Sequence, residues 1–256
     1  MKSIPQSFSW WCYANRSVEN AKLLSEAKKI GYAGVDLAGD ELWPQIVDAG
    51  LKIVAVCAHG GIENGLNDRK NATHIEQEIL HKIEQAAEWK IPQLICFAGN
   101  RYEADDDTAL KICAETLSKL APAAEQAGTK LCVELLNSKV DHRGYQCDSS
   151  TWGVRLCQEV NSPAVTLLYD IYHMQIMEGD LIRTIQRDYA HFSHYHTAGN
   201  PGRGPLSEDQ EINYPAVYRA IAATGYTGYI AHEFLPEGDP VEAIRAAYEQ
   251  CTASLA

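Results

Sequence analysis

Residues 108–136 read TALKICAETLSKLAPAAEQAGTKLCVELL, and this stretch contains the pattern from which the fold is predicted. A long amphipathic segment comes first, and Gly128 then provides a residue that commonly ends helices. A short apolar segment of the strand type follows directly. The same passage from helix to strand through a glycine recurs in KKIGYAGVDL, VDAGLKIVAV and AATGYTGYIA. The chain is therefore predicted to repeat one helix–strand unit.

Eight segments of the strand type follow one another along the chain. Each is short, apolar and rich in Val, Ile, Leu or aromatic residues, as is typical of strands buried on both faces. They are SFSWWC (7–12), AGVDLA (33–38), KIVAVCA (52–58), QLICFA (93–98), KLCVELL (130–136), VTLLYD (165–170), HFSHYHT (191–197) and GYIAHEF (228–234). Amphipathic helical patterns lie between them, such as VENAKLLSEAKKIG (18–31) and YPAVYRAIAATG (214–225).

Strict alternation of strands and helices predicts an α/β fold in which a parallel sheet is covered by helices. One strand and its helix take about 30 residues, so eight units fit the 256 residues of the chain. No G-x-G-x-x-G motif follows the first strand pattern, which argues against an open dinucleotide-binding sheet. We therefore predict a (β/α)8 TIM barrel, formed as a single domain by residues 1–256.

The composition argues against several classes of partner. The formal net charge of −12 argues against nucleic acid, because binding phosphates needs a basic surface. No apolar run approaches the about 18 residues of a transmembrane helix, so no membrane partner is expected. The N-terminus lacks a signal-peptide pattern, and the eight cysteines contain no C-x-x-C pair. These features indicate reduced thiols in a cytoplasmic enzyme, and a homo-oligomer is compatible with them.

Four polar residues stand near the C-terminal ends of the last four strand patterns, where a buried strand should be apolar. They are Glu134, Asp170, His196 and Glu233, each about one strand–helix unit after the previous one. The alternative is that each is a separate strand-end residue in a salt bridge. Clustered carboxylates repel one another unless a cation neutralises them, so the set predicts one divalent metal ion. Its oxygen-rich chemistry favours Mn²⁺ or Mg²⁺, and Co²⁺ or Zn²⁺ would also fit.

Further polar residues follow the same strand ends and are candidates for substrate binding. His173 follows Asp170 by three residues, Arg203 lies among glycines and prolines after the seventh strand, and His59 and Asn137 could form pocket walls. For each, the alternative is a structural role, such as a helix cap or a surface charge. The polar segment 137–150 is a candidate lid over the site.

Together these motifs resemble the xylose-isomerase-like barrel superfamily. They are VELLN with Glu134, DIYH with Asp170 and His173, HTAGNPGR with His196 and Arg203, and HEF with Glu233. Within the superfamily the chain is most similar to hydroxypyruvate isomerases and then to ketose 3-epimerases. It departs from many hydroxypyruvate isomerases at His196, where they have Gln, and in the third-strand loop HGGIENGLND.

The resemblance implies that Glu134, Asp170, His196 and Glu233 hold the metal, and that the two glutamates also act as a catalytic acid–base pair. It implies that residues at the positions of His173 and Arg203 contact the substrate. The implied substrate is a small hydroxy-carbonyl compound. The implied reaction interconverts hydroxypyruvate and tartronate semialdehyde by proton transfer through a cis-enediolate.

Three alternatives remain open at the level of sequence. A ketose 3-epimerase or another sugar isomerase would act on fructose or tagatose without acting on hydroxypyruvate. An endonuclease IV-like DNA repair enzyme would need more histidine ligands and a basic face for DNA. A non-catalytic sugar-binding or scaffold protein would have no need of two facing glutamates, and full turnover by a Glu134→Gln variant would favour it.

Overall fold

The computed structural model describes residues 4–14, 18–102 and 104–256. Within these ranges, eight parallel strands form a closed barrel in chain order, which confirms the predicted (β/α)8 TIM barrel. The strands are β1 (Gln6–Ser9), β2 (Gly34–Asp36), β3 (Lys52–Cys57), β4 (Gln93–Cys96), β5 (Lys130–Leu135), β6 (Val165–Asp170), β7 (Phe192–Thr197) and β8 (Ile230–His232). The first and last strands pair directly, with Ser7 opposite Ala231.

Helices follow the strands along the chain. They are α1 (Trp10–Tyr13), α2 (Asn20–Ile30), α3 (Trp43–Asp48), α4 (Ala72–Trp89), α5 (Asp106–Ala127), α6 (Ser150–Val160), α7 (Ile171–Met177), α8 (Leu181–Asp188), α9 (Tyr214–Ala223) and α10 (Pro240–Leu255). Short 3-10 turns span Asp40–Leu42 and Tyr189–His191. No helix in the described ranges has the length and apolar character needed to cross a membrane.

Glycines end two helices where the sequence predicts. Gly31 follows α2 with a φ of 123°, and Gly128 follows α5 with a φ of 71°. Both values lie in the region that only glycine adopts without strain, so the residue type itself stops the helix. The N–H of Gly128 binds the carbonyl of Ala124 and so satisfies part of the helix end.

The first strand is shorter than predicted. It ends at Ser9, and Trp10 to Tyr13 form the single-turn helix α1, closed by the bond from the N–H of Ala14 to the carbonyl of Trp10. A run of large apolar residues gives no alternation that separates a strand from a buried turn, which explains the difference. The turn matters for the site, because it leaves Trp11 48% exposed with its indole nitrogen bonded to Glu233 just after β8.

One compact unit comprises the described residues within 1–54, 180–189 and 195–256. Its core holds an aromatic cluster in which Phe8 packs edge-on against Tyr13 and Tyr32, at centroid distances of 5.7 and 5.3 Å. Phe234 packs edge-on against Tyr13 at 5.4 Å. Edge-to-face contacts of this kind add to the stability that comes from burying the rings.

A second compact unit comprises the described residues within 55–179 and 190–194. In it α4 packs against α5 and α5 against α6, while β4, β5 and β6 form adjacent parallel strands. Continuous apolar burial along β5, at Leu131, Cys132 and Val133, explains why this strand reads as an unbroken apolar run. The prediction that residues 1–256 make up one domain stays a prediction. Seven of the eight cysteines are buried, Cys57 is exposed, and none of the eight is joined in a disulfide.

His232 is a buried titratable group in the first unit. Its Nε2 donates to the side-chain oxygen of Gln6 at 2.9 Å, and its Nδ1 lies 2.9 Å from the hydroxyl of Thr197. Burial lowers the pKa of His232 from 6.5 to about 3, and the attraction of Asp36 only partly opposes this effect. The folded protein therefore keeps this ring neutral over a pH range in which the unfolded chain binds a proton.

This difference predicts a loss of stability on the acid side. The contribution of His232 is fully present above the unfolded pKa of 6.5 and is lost as the pH falls toward 3. Between about pH 7 and about pH 5 the loss should be about 2 kcal/mol. We expect urea unfolding at the two pH values to reveal it, and we expect His232→Gln to remove most of that difference. A variant that keeps the full pH dependence would contradict this assignment.

Candidate metal centre

Glu233 directly follows β8, and its backbone N–H binds the carbonyl of Thr197 at 2.9 Å. Its carboxylate receives three contacts. The indole nitrogen of Trp11 donates to Oε1 at 2.8 Å, Nδ1 of His196 lies 2.8 Å from Oε2, and the guanidinium of Arg203 donates to Oε2. Glu233 and His196 are both buried, so the strand ends hold this carboxylate away from bulk water.

The charge state of Glu233 follows from these contacts. Burial raises its pKa, but the attraction of His196 and Arg203 and the hydrogen bonds from His196 and Trp11 outweigh that effect. The pKa of Glu233 is therefore held well below its ordinary value, and the group is a carboxylate at neutral pH. A buried carboxylate of this kind can bind a cation.

Asp36 is a member of this arrangement that the sequence analysis did not single out. It is the last residue of β2, is fully buried, and places Oδ2 at 3.4 Å from Nε2 of His196. His196 therefore has a carboxylate on each ring nitrogen, Glu233 on one side and Asp36 on the other. Asp36 interrupts the apolar pattern AGVDLA just as the four predicted residues interrupt theirs, so the same criterion could have found it.

Glu134 and Asp170 lie on the neighbouring strands β5 and β6 and are both buried. Asp170 is also the N-cap of α7, where Oδ1 accepts the backbone N–H of His173 at 3.1 Å. Its other oxygen, Oδ2, lies 3.6 Å from Nε2 of His173. The cap orients the carboxylate of Asp170, because Oδ1 is bonded to the start of α7 and Oδ2 is thereby turned toward Nε2 of His173.

Asn137 and His173 meet beside these carboxylates. The amide nitrogen of Asn137 lies 2.6 Å from Nδ1 of His173 and 2.7 Å from Oδ2 of Asp141. Its oxygen accepts the backbone N–H groups of Val140 and Asp141 at 3.0 and 2.9 Å. The hydroxyl of Tyr172 donates to Asp141 at 2.8 Å. The start of the segment 137–150 is thereby bonded to α7.

The rest of the segment 137–150 is also held at several points. Arg101 forms two bonds to the carboxylate of Asp148, at 2.8 and 3.0 Å, and Ser138 donates to the same carboxylate. Lys139 donates to the carbonyls of Ile176 and Met177, at 2.9 and 3.1 Å, at the end of α7. That this segment acts as a lid stays a prediction, and these are the bonds that any opening would have to break.

His59 has both ring nitrogens bonded to the backbone. Nε2 accepts the N–H of Phe97 at 3.0 Å, and Nδ1 lies 3.2 Å from the carbonyl of Gly60. Burial lowers the pKa of His59, and hydrogen bonds to the backbone only partly oppose this. The ring nitrogens of His59 thus join the backbone just after β3 and β4, and the substrate contact predicted for His59 stays a prediction.

Arg203 lies in a tight turn after β7. Gly199 and Gly204 form an isolated bridge, with their N–H and carbonyl groups bonded in both directions at 2.7 and 3.1 Å. The turn gives Arg203 a φ of 54°, which is uncommon for a residue with a side chain. Its guanidinium carbon lies 5.8 Å from the ring centre of Trp11. The turn therefore directs a positive charge toward Trp11 and Glu233.

Glu134, Asp170, His196 and Glu233 form a buried group whose potential ligand atoms all lie within 4.8 Å of one another. Such a group of carboxylates and one imidazole could hold a metal ion. A second group, made of Asp36, His194 and His196, shares His196 with it.

Residues 22–251 match a family model described as the xylose isomerase-like TIM barrel. A human protein provisionally named a hydroxypyruvate isomerase is 27% identical over 207 residues, which cover 77% of this chain and 75% of that protein. A 2-oxo-tetronate isomerase from Cupriavidus necator is 34% identical over 122 residues, which cover 48% of this chain and 46% of that protein.

Among solved structures, an AP endonuclease of family 2 from Brucella melitensis has a TM-score of 0.85 and 23% identity, covering 94% of this chain and 97% of that chain. At this level of identity the likeness shows the fold alone. The family match and the fold therefore agree with each other.

Proposed function

The chain belongs to the xylose isomerase-like TIM barrel family, and from this premise we propose that it is a metal-dependent isomerase interconverting hydroxypyruvate and tartronate semialdehyde. Its relatives from Homo sapiens and Cupriavidus necator, which are named as isomerases, support an isomerase of this family. The observation that carries the proposal is the buried group of Glu134, Asp170, His196 and Glu233, with ligand atoms within 4.8 Å of one another.

The donor set fits a divalent cation. Three buried carboxylates this close repel one another, and a divalent cation together with the positive charge of Arg203 would balance their three negative charges. Carboxylate oxygens with one imidazole favour Mn²⁺ or Mg²⁺, and Co²⁺ or Zn²⁺ are compatible. When bound, the cation would supply Lewis acidity that polarises a carbonyl and acidifies the neighbouring C–H group.

In the proposed reaction the two glutamates transfer the proton. One of them removes a proton from the hydroxyl-bearing carbon of hydroxypyruvate, which leaves a cis-enediolate. That proton returns to the neighbouring carbon, and the hydroxyl proton passes to the former carbonyl oxygen, which gives tartronate semialdehyde. Asp170 and His196 serve as ligands only. The low pKa of Glu233 keeps it ionised and thus able to bind a cation.

Arg203 is the proposed partner of the substrate carboxylate, because a guanidinium matches a carboxylate with two parallel hydrogen bonds. Its position over Trp11 and beside Glu233 supports this role. His173 is the proposed donor to a substrate oxygen.

A second candidate substrate is 2-oxo-tetronate, which the name of the Cupriavidus necator relative favours. It shares the 2-oxo acid group and differs in the length of the remaining chain, so the same residues would act on it. A sugar isomerase or ketose 3-epimerase differs more, since its substrate carries no carboxylate for Arg203.

A substrate panel tests the proposal. The protein is stripped of metal, reloaded with Mn²⁺ or Mg²⁺, and assayed with hydroxypyruvate, 2-oxo-tetronate, ketohexoses, tetruloses and an inosose. We expect turnover of a 2-oxo acid that depends on added metal. Turnover of fructose or tagatose alone would assign a sugar epimerase or isomerase instead, and cleavage of abasic DNA would assign a repair enzyme.

Asp36 should orient His196 for metal binding. A carboxylate on the second nitrogen of a ligating histidine fixes the ring and raises its basicity, and its loss typically lowers metal affinity by about 10- to 100-fold. We expect Asp36→Asn to show such a loss in competitive titration of the metal-free protein with Mn²⁺. Asp148→Asn is the matched control, because Asp148 is another buried carboxylate but binds Arg101. Equal affinities of the two variants would contradict this role.

A further inference from the structure

The amide of Asn137 has only one orientation compatible with its neighbours. A backbone N–H group can only donate, so the side-chain atom that faces the N–H groups of Val140 and Asp141, at 3.0 and 2.9 Å, must be the oxygen. The NH₂ group therefore faces the opposite side. There it lies 2.7 Å from Oδ2 of Asp141 and 2.6 Å from Nδ1 of His173.

This orientation determines the protonation of His173. The NH₂ group of Asn137 is a donor only, so Nδ1 of His173 must accept from it and carries no proton. A proton on Nδ1 would place two N–H groups against each other at 2.6 Å. The ring is thus the neutral tautomer with its proton on Nε2, the nitrogen that lies 3.6 Å from Oδ2 of Asp170.

Asp141 acts on the amide and not directly on the ring. Its Oδ2 is 3.9 Å from Nδ1 of His173, beyond hydrogen-bond distance, and it accepts instead from Asn137 and from the hydroxyl of Tyr172. If a carboxylate touched Nδ1, it would draw a proton onto that nitrogen. The amide of Asn137, which lies between Asp141 and the ring, instead keeps Nδ1 of His173 unprotonated.

We propose that Asn137 is a positioning residue that holds His173 as the neutral Nε2–H tautomer, so that His173 presents one uncharged hydrogen-bond donor to a substrate oxygen. The role as donor rests on the proposed isomerase function, whereas the tautomer follows from the contacts of Asn137 alone. All the hydrogen-bonding positions of the Asn137 amide are used in this network. A positioning role therefore replaces the direct substrate contact that the sequence analysis predicted for Asn137.

The chemical benefit concerns the oxygen on which charge develops during enediolate formation. A donor fixed in place before the reaction stabilises that charge, and removing one such donor typically costs about 10²- to 10³-fold in kcat. The other tautomer would direct a lone pair toward the same oxygen and would repel it. Wrong tautomers of a correctly placed histidine are strongly damaging in enzymes that depend on one nitrogen.

The tautomer can be measured without any substrate. Protein labelled with ¹⁵N-histidine is prepared metal-free and with Mg²⁺, and the His173 signals are assigned by their loss in a His173→Gln variant. We expect Nδ1 to have the chemical shift of an unprotonated imidazole nitrogen and Nε2 that of a protonated one. A protonated Nδ1 would overturn the inference even if the isomerase assay succeeds.

Two substitutions then test the consequence. Asn137→Asp places an acceptor against Nδ1, so we expect that nitrogen to become protonated and kcat to fall by about 10²-fold or more. Asn137→Ala, which removes the donor without adding a charge, should give a mixture of tautomers and a smaller loss. Asp141→Asn is the control that keeps the Asn137 amide, and it should retain the tautomer.

Unchanged kcat in Asn137→Asp with a shifted tautomer would refute the role. Absence of turnover in the wild type with the expected tautomer would refute only the proposed function.

Discussion

Replacing Glu134 with Gln should lower kcat for the isomerisation by about 10²- to 10⁴-fold, the usual contribution of a positioned acid or base. Gln retains the size of the side chain and one oxygen that can still face a cation, but it cannot take up the substrate proton. The loss should therefore appear in turnover more than in folding. Steady-state kinetics on the metal-loaded variant, with unfolding curves beside them, would measure both.

A matched control for this prediction is Glu178→Gln. Glu178 is also a glutamate of the second unit, but its carboxylate accepts the N–H and the hydroxyl of Ser150, at 2.7 and 2.9 Å, at the start of α6. Its variant should lose some stability and keep its turnover. Full turnover by Glu134→Gln would show that Glu134 is not part of the acid–base pair. It would also favour the alternative of a non-catalytic binding protein.

Replacing Asp170 should greatly weaken metal binding, and a pair of variants separates this effect from the helix cap. Asp170→Asn keeps an oxygen that can accept the N–H of His173, whereas Asp170→Ala loses the cap as well. Loss of a partner outside the ligand set costs about 10- to 100-fold in metal affinity, so loss of a ligand should cost more than about 100-fold in both variants. Isothermal titration of the metal-free proteins would measure it.

The stabilities of the two Asp170 variants should differ. Asp170→Ala should lose about 1 kcal/mol of unfolding free energy relative to Asp170→Asn, because only the alanine leaves the α7 end without its cap. Asp170→Asn also removes one of several clustered negative charges that repel one another. We therefore expect this change of charge not to destabilise the metal-free protein. Metal affinity within a few-fold of the wild type in either variant would contradict the proposed ligand set.

The sequence predicts the barrel well because its strands are buried on both faces. β5 and β6 are mainly apolar, and the buried acids Glu134 and Asp170 stand near their C-terminal ends, so these charged residues mark the strand ends. The same criterion predicts His196 and Glu233, and applied once more it would have found Asp36. Strand β1 was predicted too long, since aromatic residues at 10–13 pack equally well in a strand or in a turn.

The contacts of the loops could not be predicted in the same way. That the amide of Asn137 meets the ring of His173, or that His59 binds two backbone groups, depends on which atoms face each other after folding. Residue type and spacing carry no such information. Trp11 illustrates the point, because its indole nitrogen reaches Glu233, more than two hundred residues away in the sequence, only through the unpredicted turn α1.

The most direct test of the central claim is deuterium incorporation during the reaction of hydroxypyruvate in D₂O, followed by NMR with and without Mn²⁺ or Mg²⁺ loaded beforehand. If a glutamate carries the proton through a cis-enediolate, the tartronate semialdehyde formed should contain solvent deuterium on the carbon that gains hydrogen. The metal-free protein should give neither exchange nor product. Product that forms with the substrate hydrogen fully retained, or no exchange into any substrate of the panel, would contradict the account.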